Sequence, residues 1–87
     1  MSTRTEQAPM REATSAIVAK ILKIHRARLK ISQERLALLA DVDRTYVGKV
    51  ERAILNPTLY RINRLLHAAG ISWQDFGATL DAELRRQ

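Results

Sequence analysis

The chain predicts an all-α domain of five helices, and three observations carry that expectation. Apolar residues recur at helical spacing along most of its 87 residues. Three helix starts share one signature: an apolar residue, a capping side chain, then an apolar residue four positions after the cap. No stretch alternates apolar and polar residues as a half-buried strand does. A chain of this length makes one domain, or part of an obligate dimer.

Composition narrows the function classes. An apolar share of 46% suffices for a small core, and with one Trp, two Tyr and one Phe that core is mainly aliphatic. There is no Cys, which excludes disulfides and thiolate metal sites and fits a reducing cytosol. No apolar run approaches the roughly 20 residues that span a bilayer, and the N-terminus lacks the apolar stretch of a signal peptide. A cytoplasmic protein with no membrane partner is the expectation. The net charge of +6 favours anionic partners, nucleic acid first and anionic lipid second.

Residues 1–12 have no apolar period and contain Pro9, so a flexible tail is expected, with Arg4 and Arg11 able to make it a DNA-touching arm. The domain then runs over 13–87. Its first helix spans roughly Ala13 to Leu29. Val18, Leu22, His25 and Leu29 form one stripe, and Ile17, Ile21 and Ile24 an adjoining one. No acidic residue occurs from Ala13 through Gln33. The capping signatures place the next starts: Ile31-Ser32 with Leu36, Val42-Asp43 with Val47, and Ile71-Ser72 with Phe76. Asp75 adds a carboxylate where the dipole of the last helix favours it. The second helix is Gln33 to Ala40, with Leu36, Ala37, Leu39 and Ala40 available to the core. The third is Arg44 to about Glu51. The fourth is Leu59 to Ala69, capped by Thr58 or Asn56 and ended by Gly70. Its inward stripe is Leu59, Ile62, Leu65, Leu66 and Ala69. The fifth starts after Ser72, and Gly77 threatens to break or kink it.

The third helix has two unlike faces. Val47 and Val50 lie on one side, with Tyr46 near their edge. Arg44, Thr45, Gly48, Lys49 and Arg52 lie on the other. A helix of that kind can pack inward and approach base edges outward. Arg44 and Lys49 are the expected base readers, since a guanidinium pairs with guanine O6 and N7. Thr45 offers a hydroxyl and a methyl for a phosphate or a thymine. Gly48 costs about 0.8–1.0 kcal/mol against Ala; clearance for the groove and flexibility of the helix are both open. Tyr46 either sets its hydroxyl on a phosphate or only packs.

The stretch Gln33 to Arg52 resembles the helix-turn-helix of the Cro and phage-repressor family. The resemblance rests on Gln33, Ala37, Val47 and Val50, then Glu51-Arg52 and Asn56-Pro57-Thr58-Leu59, and covers about residues 17–76. Asp43-Arg44-Thr45-Tyr46, with Glu51-Arg52 after it, looks most like the restriction–modification controllers within that family. The resemblance implies a lambda-repressor-like five-helix domain, encoded by a bacterium, phage or plasmid. It implies that Ala37 is small because two helices cross there. It makes Gln33 a phosphate contact at a helix start, and Arg52 and Asn56 further backbone clamps. Asn56 has an alternative as a turn and capping residue. Glu51 is expected in an internal ion pair. The sequence departs from the family at three positions often held by Gly: Lys30, Asp41 and Ala53. It also carries apolar Ile54 and Leu55 where polar or basic residues are common, which suits thymine-methyl contact or a protein interface.

Trp73, Phe76, Leu80 and Leu84 form a last stripe, read both as core and as a two-fold interface, so that 71–87 contributes to dimerisation. The expected function is a homodimeric, sequence-specific transcription regulator on a near-palindromic duplex operator. Repression is expected, and an activating contact with RNA polymerase stays open. Two rivals remain: a protein-interaction module such as an antitoxin, docking through Ile54 and Leu55, and a basic amphipathic protein at a membrane surface. His25 and His67 lie far apart with no Cys, and no Ser/His/Asp set or phosphate-cradling glycine loop is present, so no metal, cofactor or enzymatic activity is expected.

Overall fold

Five helices occur in the expected order: α1 (Thr3–Leu29), α2 (Gln33–Ala40), α3 (Arg44–Glu51), α4 (Leu59–Ala69) and α5 (Trp73–Arg85). The computed structural model describes residues 3–86, with side chains from Pro9 onward. Among the described residues there is no strand. The α2–α3 pair forms the helix-turn-helix, and α1 packs against α3, α4 and α5.

Helix α1 begins ten residues earlier than the apolar pattern indicates. Its 27 residues account for most of the molecule's 44 Å long axis. The upstream stretch contains Glu6, Gln7, Ala8, Met10, Arg11 and Glu12, all good helix formers, so it continues the helix, and residues 9–12 are exposed. Pro9 sits inside that helix, where it removes one N–H donor. Met1 and Ser2 of the expected tail lie outside the described residues, as does the side chain of Arg4; Arg11 is exposed.

The caps fix the other boundaries. The hydroxyls of Ser32, Thr58 and Ser72 accept from the N–H groups of Arg35, Arg61 and Asp75. Thr58, not Asn56, therefore caps α4. Asp43 takes the extended cap conformation, but its carboxylate accepts no N–H. The apolar pair Val42 and Val47 still joins the core around that start. Helix α5 runs unbroken through Gly77.

Four helix ends repeat one motif. Lys30, Asp41, Ala53 and Gly70 take left-handed backbone, with φ of 57°, 55°, 58° and 71°. After each, the N–H of Ile31, Val42, Ile54 or Ile71 donates back five residues, to the carbonyls of Arg26, Ala37, Lys49 and Leu66. This arrangement satisfies end carbonyls that would otherwise be orphaned. The three departures from glycine noted in the sequence are thus, among the described residues, the three non-glycine residues at positive φ.

The core is aliphatic apart from Phe76. Leu36, Val47, Val50, Leu65 and Leu66 are its most deeply buried large side chains, joined by Ile17, Val18, Ile21 and Leu22 of α1. Each fully buried Leu or Val contributes about 1.5–3 kcal/mol. Several expected core residues are outside. Leu59 is 75% exposed, because it lies in the first turn of α4 at the edge of the inward stripe. Leu39 is exposed beside buried Ala40. Ile24 and Leu29 are exposed too, since α1 beyond Leu22 meets α3 through a polar contact.

Candidate nucleic-acid interface

Helix α3 presents the strip that the sequence indicates. Arg44, Thr45, Lys49 and Arg52 are exposed and Gly48 is half-buried, above buried Val47 and Val50. Gln33, Arg44, Thr45, Gly48 and Arg52 line one shallow polar cleft, which joins the start of α2 to the outer face of α3. Lys49 lies further round the helix. A Cβ built on Gly48 would meet only Gln33 Oε1, at 3.6 Å, which is ordinary contact. Packing within the protein therefore does not require the bare position.

On one flank α3 is fastened to α1. The Glu51 side chain is buried and receives two bonds from Arg26, Nε to Oε2 at 2.6 Å and Nη2 to Oε1 at 2.9 Å. Arg26 Nη1 also donates to the Ile31 carbonyl. This is the internal pair expected for Glu51. Burial is the largest single influence on that carboxyl and works against its charge. The hydrogen bonds from Arg26 and Gln33, with the charges of Arg26 and Lys23, outweigh it together and hold Glu51 below the usual carboxylate range. The bond to Glu51 in turn raises the Arg26 pKa.

Gln33 is engaged in the same network, its Nε2 donating to Glu51 Oε1 at 3.0 Å. One amide N–H remains for an outside acceptor. Asn56 is likewise tied inward: the Ser15 hydroxyl donates to its Oδ1. Its NH2 group is the part left to donate outward.

On the other flank α3 meets α4. Tyr46 is half-buried against the core, and the Arg61 guanidinium carbon lies 4.6 Å from its ring centre. Arg64 Nε donates to the Ala40 carbonyl at 2.7 Å, and Nη2 to Asp41 Oδ2 at 2.8 Å. Its guanidinium also bonds the Tyr60 hydroxyl, and that bond is the first cause of its raised pKa. Arg64 thereby braces the turn between α2 and α3. Arg61 carries no signal in the sequence, because Tyr46 lies on another helix, and the bracing by Arg64 carries none, because Ala40 and Asp41 lie more than 20 residues before it.

The four residues of the expected two-fold stripe do not share one surface. Phe76 is only 4% exposed and belongs to the core, and Leu80 is half-buried against it. Trp73 is 44% exposed, edge-on to Phe76 at 5.9 Å, with its Nε1 donating to Asn63 Oδ1. Leu84 instead lines an apolar groove with Pro9, Met10 and Ala13. Phe76 and Leu80 thus take the core half of the expectation, on a helix that packs along α1. Ile54 is exposed and Leu55 half-buried.

No helix is long and apolar enough to cross a membrane, and no metal-binding group of His, Asp or Glu occurs among the described residues.

An outward cationic helix on a helix-turn-helix frame defines a DNA-binding regulator, and the chain belongs to the helix-turn-helix family, which matches it over residues 22–76. It is similar to the control protein C.BamHI of Bacillus amyloliquefaciens, at 34% identity over 56 residues, or 64% of this chain and 69% of that protein. Its fold is similar to that of the wild-type restriction–modification controller protein C.Esp1396I. The TM-score is 0.78 at 26% identity, over 85% of this chain and 96% of that one. A point mutant of the same controller gives a TM-score of 0.77 at 25% identity, over 83% and 96%.

Proposed function

We propose that the protein binds a near-palindromic operator as a homodimer, with α3 of each copy in the major groove, and represses transcription in a restriction–modification setting. Its work is binding, with no catalytic step and no cofactor. The observation that carries this reading is the exposed strip of Arg44, Thr45, Gly48 and Lys49 above two buried valines. Arg44 and Lys49 are the base readers, and Thr45 meets a base or phosphate beside them. Since packing leaves room at Gly48, groove clearance is the better account of its bare face. Gln33, Tyr46, Arg52 and Asn56 hold the sugar–phosphate backbone and set register. Occupancy of the operator suffices for repression.

Two half-sites about 34 Å apart need two copies on one side of the duplex. The pairing surface takes in the exposed Trp73 of the 71–87 stripe and extends to the start of α4, where Leu59 is exposed one turn before Asn63, the acceptor of the Trp73 indole N–H. Selection of bound duplexes from a random pool at fixed salt tests the whole reading through half-site sequence, spacing and symmetry. Arg44→Ala is expected to lose preference at one base pair, worth about 1–3 kcal/mol. Equal loss on operator and random DNA would sink its readout role. Leu59→Lys is expected to leave the helix content unchanged while sedimentation shifts from dimer to monomer.

A further inference from the structure

We propose that Arg61 of α4 is a further phosphate contact, positioned for it by the Tyr46 ring. The proposal rests on the DNA-binding reading above. Successive residues on a helix turn by about 100°. Arg44 and Gly48 therefore occupy the flank of α3 beside Gln33. Thr45, Arg52 and Lys49 occupy the middle, and Tyr46 the opposite flank. A helix with its side chains is about 10–12 Å across, and the major groove is about 12 Å wide. A seated α3 thus brings its two flanks towards the two phosphate strands that border the groove. On the first flank Gln33 waits with one amide N–H. On the second the structure offers Arg61.

The chemistry of Arg61 suits that position. It is exposed, and its guanidinium carbon lies 4.6 Å from the Tyr46 ring centre. Asp41, Asp43 and Arg61 line the same cleft. Asp41 is held by Arg64 at 2.8 Å, and among the described residues no carboxylate forms an ion pair with Arg61. A guanidinium resting on a ring keeps its N–H edge available, and the fork fits phosphate oxygens. The ring also limits the side chain's freedom before binding, so less ordering is left to do in the complex. Two carboxylates in the cleft oppose a phosphate, Asp41, which Arg64 offsets, and Asp43, which sets the main competing explanation: Arg61 serves only to offset that carboxylate.

The test is titration of the full-length protein with a selected operator duplex and a random duplex of equal length, across salt. Arg61→Gln is expected to weaken both duplexes alike and to lower the salt slope by about 0.9 for each bound copy. Its deficit then shrinks roughly 3.5-fold per copy between about 50 and 200 mM salt. An unchanged slope overturns the proposal. The same substitution in an Asp43→Asn background separates the alternatives. Persistence of the slope change supports phosphate contact; its disappearance assigns Arg61 to Asp43 and overturns the proposal. Arg44→Ala, run in parallel, reports on the parent reading. If it loses base preference while Arg61→Gln leaves the slope intact, only Arg61's role fails. If wild-type protein retains neither duplex, both fail.

Discussion

The two flanks of α3 are built from different materials. Towards α1 the contact is a buried carboxylate held by a two-pronged guanidinium, with Gln33 as a third member. Towards α4 it is an exposed guanidinium lying on a tyrosine ring and a second arginine bracing the α2–α3 turn. The first is expensive to break, because removing one partner leaves a charge in a poor solvent. The second is open to water and screened by salt. Of its two flanks, α3 is therefore held more firmly on the α1 side. In the reading proposed above, the α4 side offers its exposed groups to a duplex at little cost to the fold.

The largest expected effect is on the α1 flank. Arg26→Ala strands Glu51, whose residue is 3% exposed, and is expected to cost about 3 kcal/mol, the low end for a broken buried pair. Thermal unfolding followed by circular dichroism measures it. Arg61→Ala, on the other flank, should shift the midpoint far less. Equal shifts would erase the distinction between the two flanks.

Acid sharpens the same contrast. The folded state holds Glu51 below its ordinary pKa, so the stabilisation is fully present above the unfolded value of about 4.3. It is lost as pH falls through the depressed folded value. The stability difference between wild type and Glu51→Gln should be constant near neutrality and shrink in strong acid. A difference that does not change with pH would mean that the charge of Glu51 contributes nothing.

What could be read in advance was local. Ser32, Thr58 and Ser72 mark the starts of α2, α4 and α5 through bonds made three residues away, so those starts were legible to the residue. The outward strip of α3 was legible because an eight-residue helix over two valines has only one exposed side. The role of Leu59 was not, since a stripe does not reveal where the core beneath it stops. Nor was the division of Trp73 from Phe76, which depends on where α5 meets α1. Gln33 looked free for a phosphate because the Glu51 that engages it lies 18 residues on. The upstream turns of α1 were missed because helix-forming residues without an apolar period resemble a tail.

The smallest expected effects come from the left-handed ends, and they again divide the two flanks. An L-residue at positive φ carries a cost of roughly 1–2 kcal/mol that glycine avoids, offset in part by glycine's greater freedom when unfolded. Ala53 has a methyl side chain with no polar contact to lose, so Ala53→Gly should stabilise by up to about 1 kcal/mol. Asp41 has the same backbone but also holds Arg64 on the α4 side, at 2.8 Å. Asp41→Gly gains less relief, because Asp tolerates left-handed backbone better than Ala, and it also loses that partner. Its gain should be smaller than that of Ala53→Gly at low salt and approach it as salt screens the ion pair. Denaturant midpoints at two salt concentrations measure both. If Asp41→Gly matches Ala53→Gly at low salt, the Asp41–Arg64 pair contributes nothing to holding the turn. The bracing of the α2–α3 junction then rests on the bond from Arg64 to the Ala40 carbonyl alone.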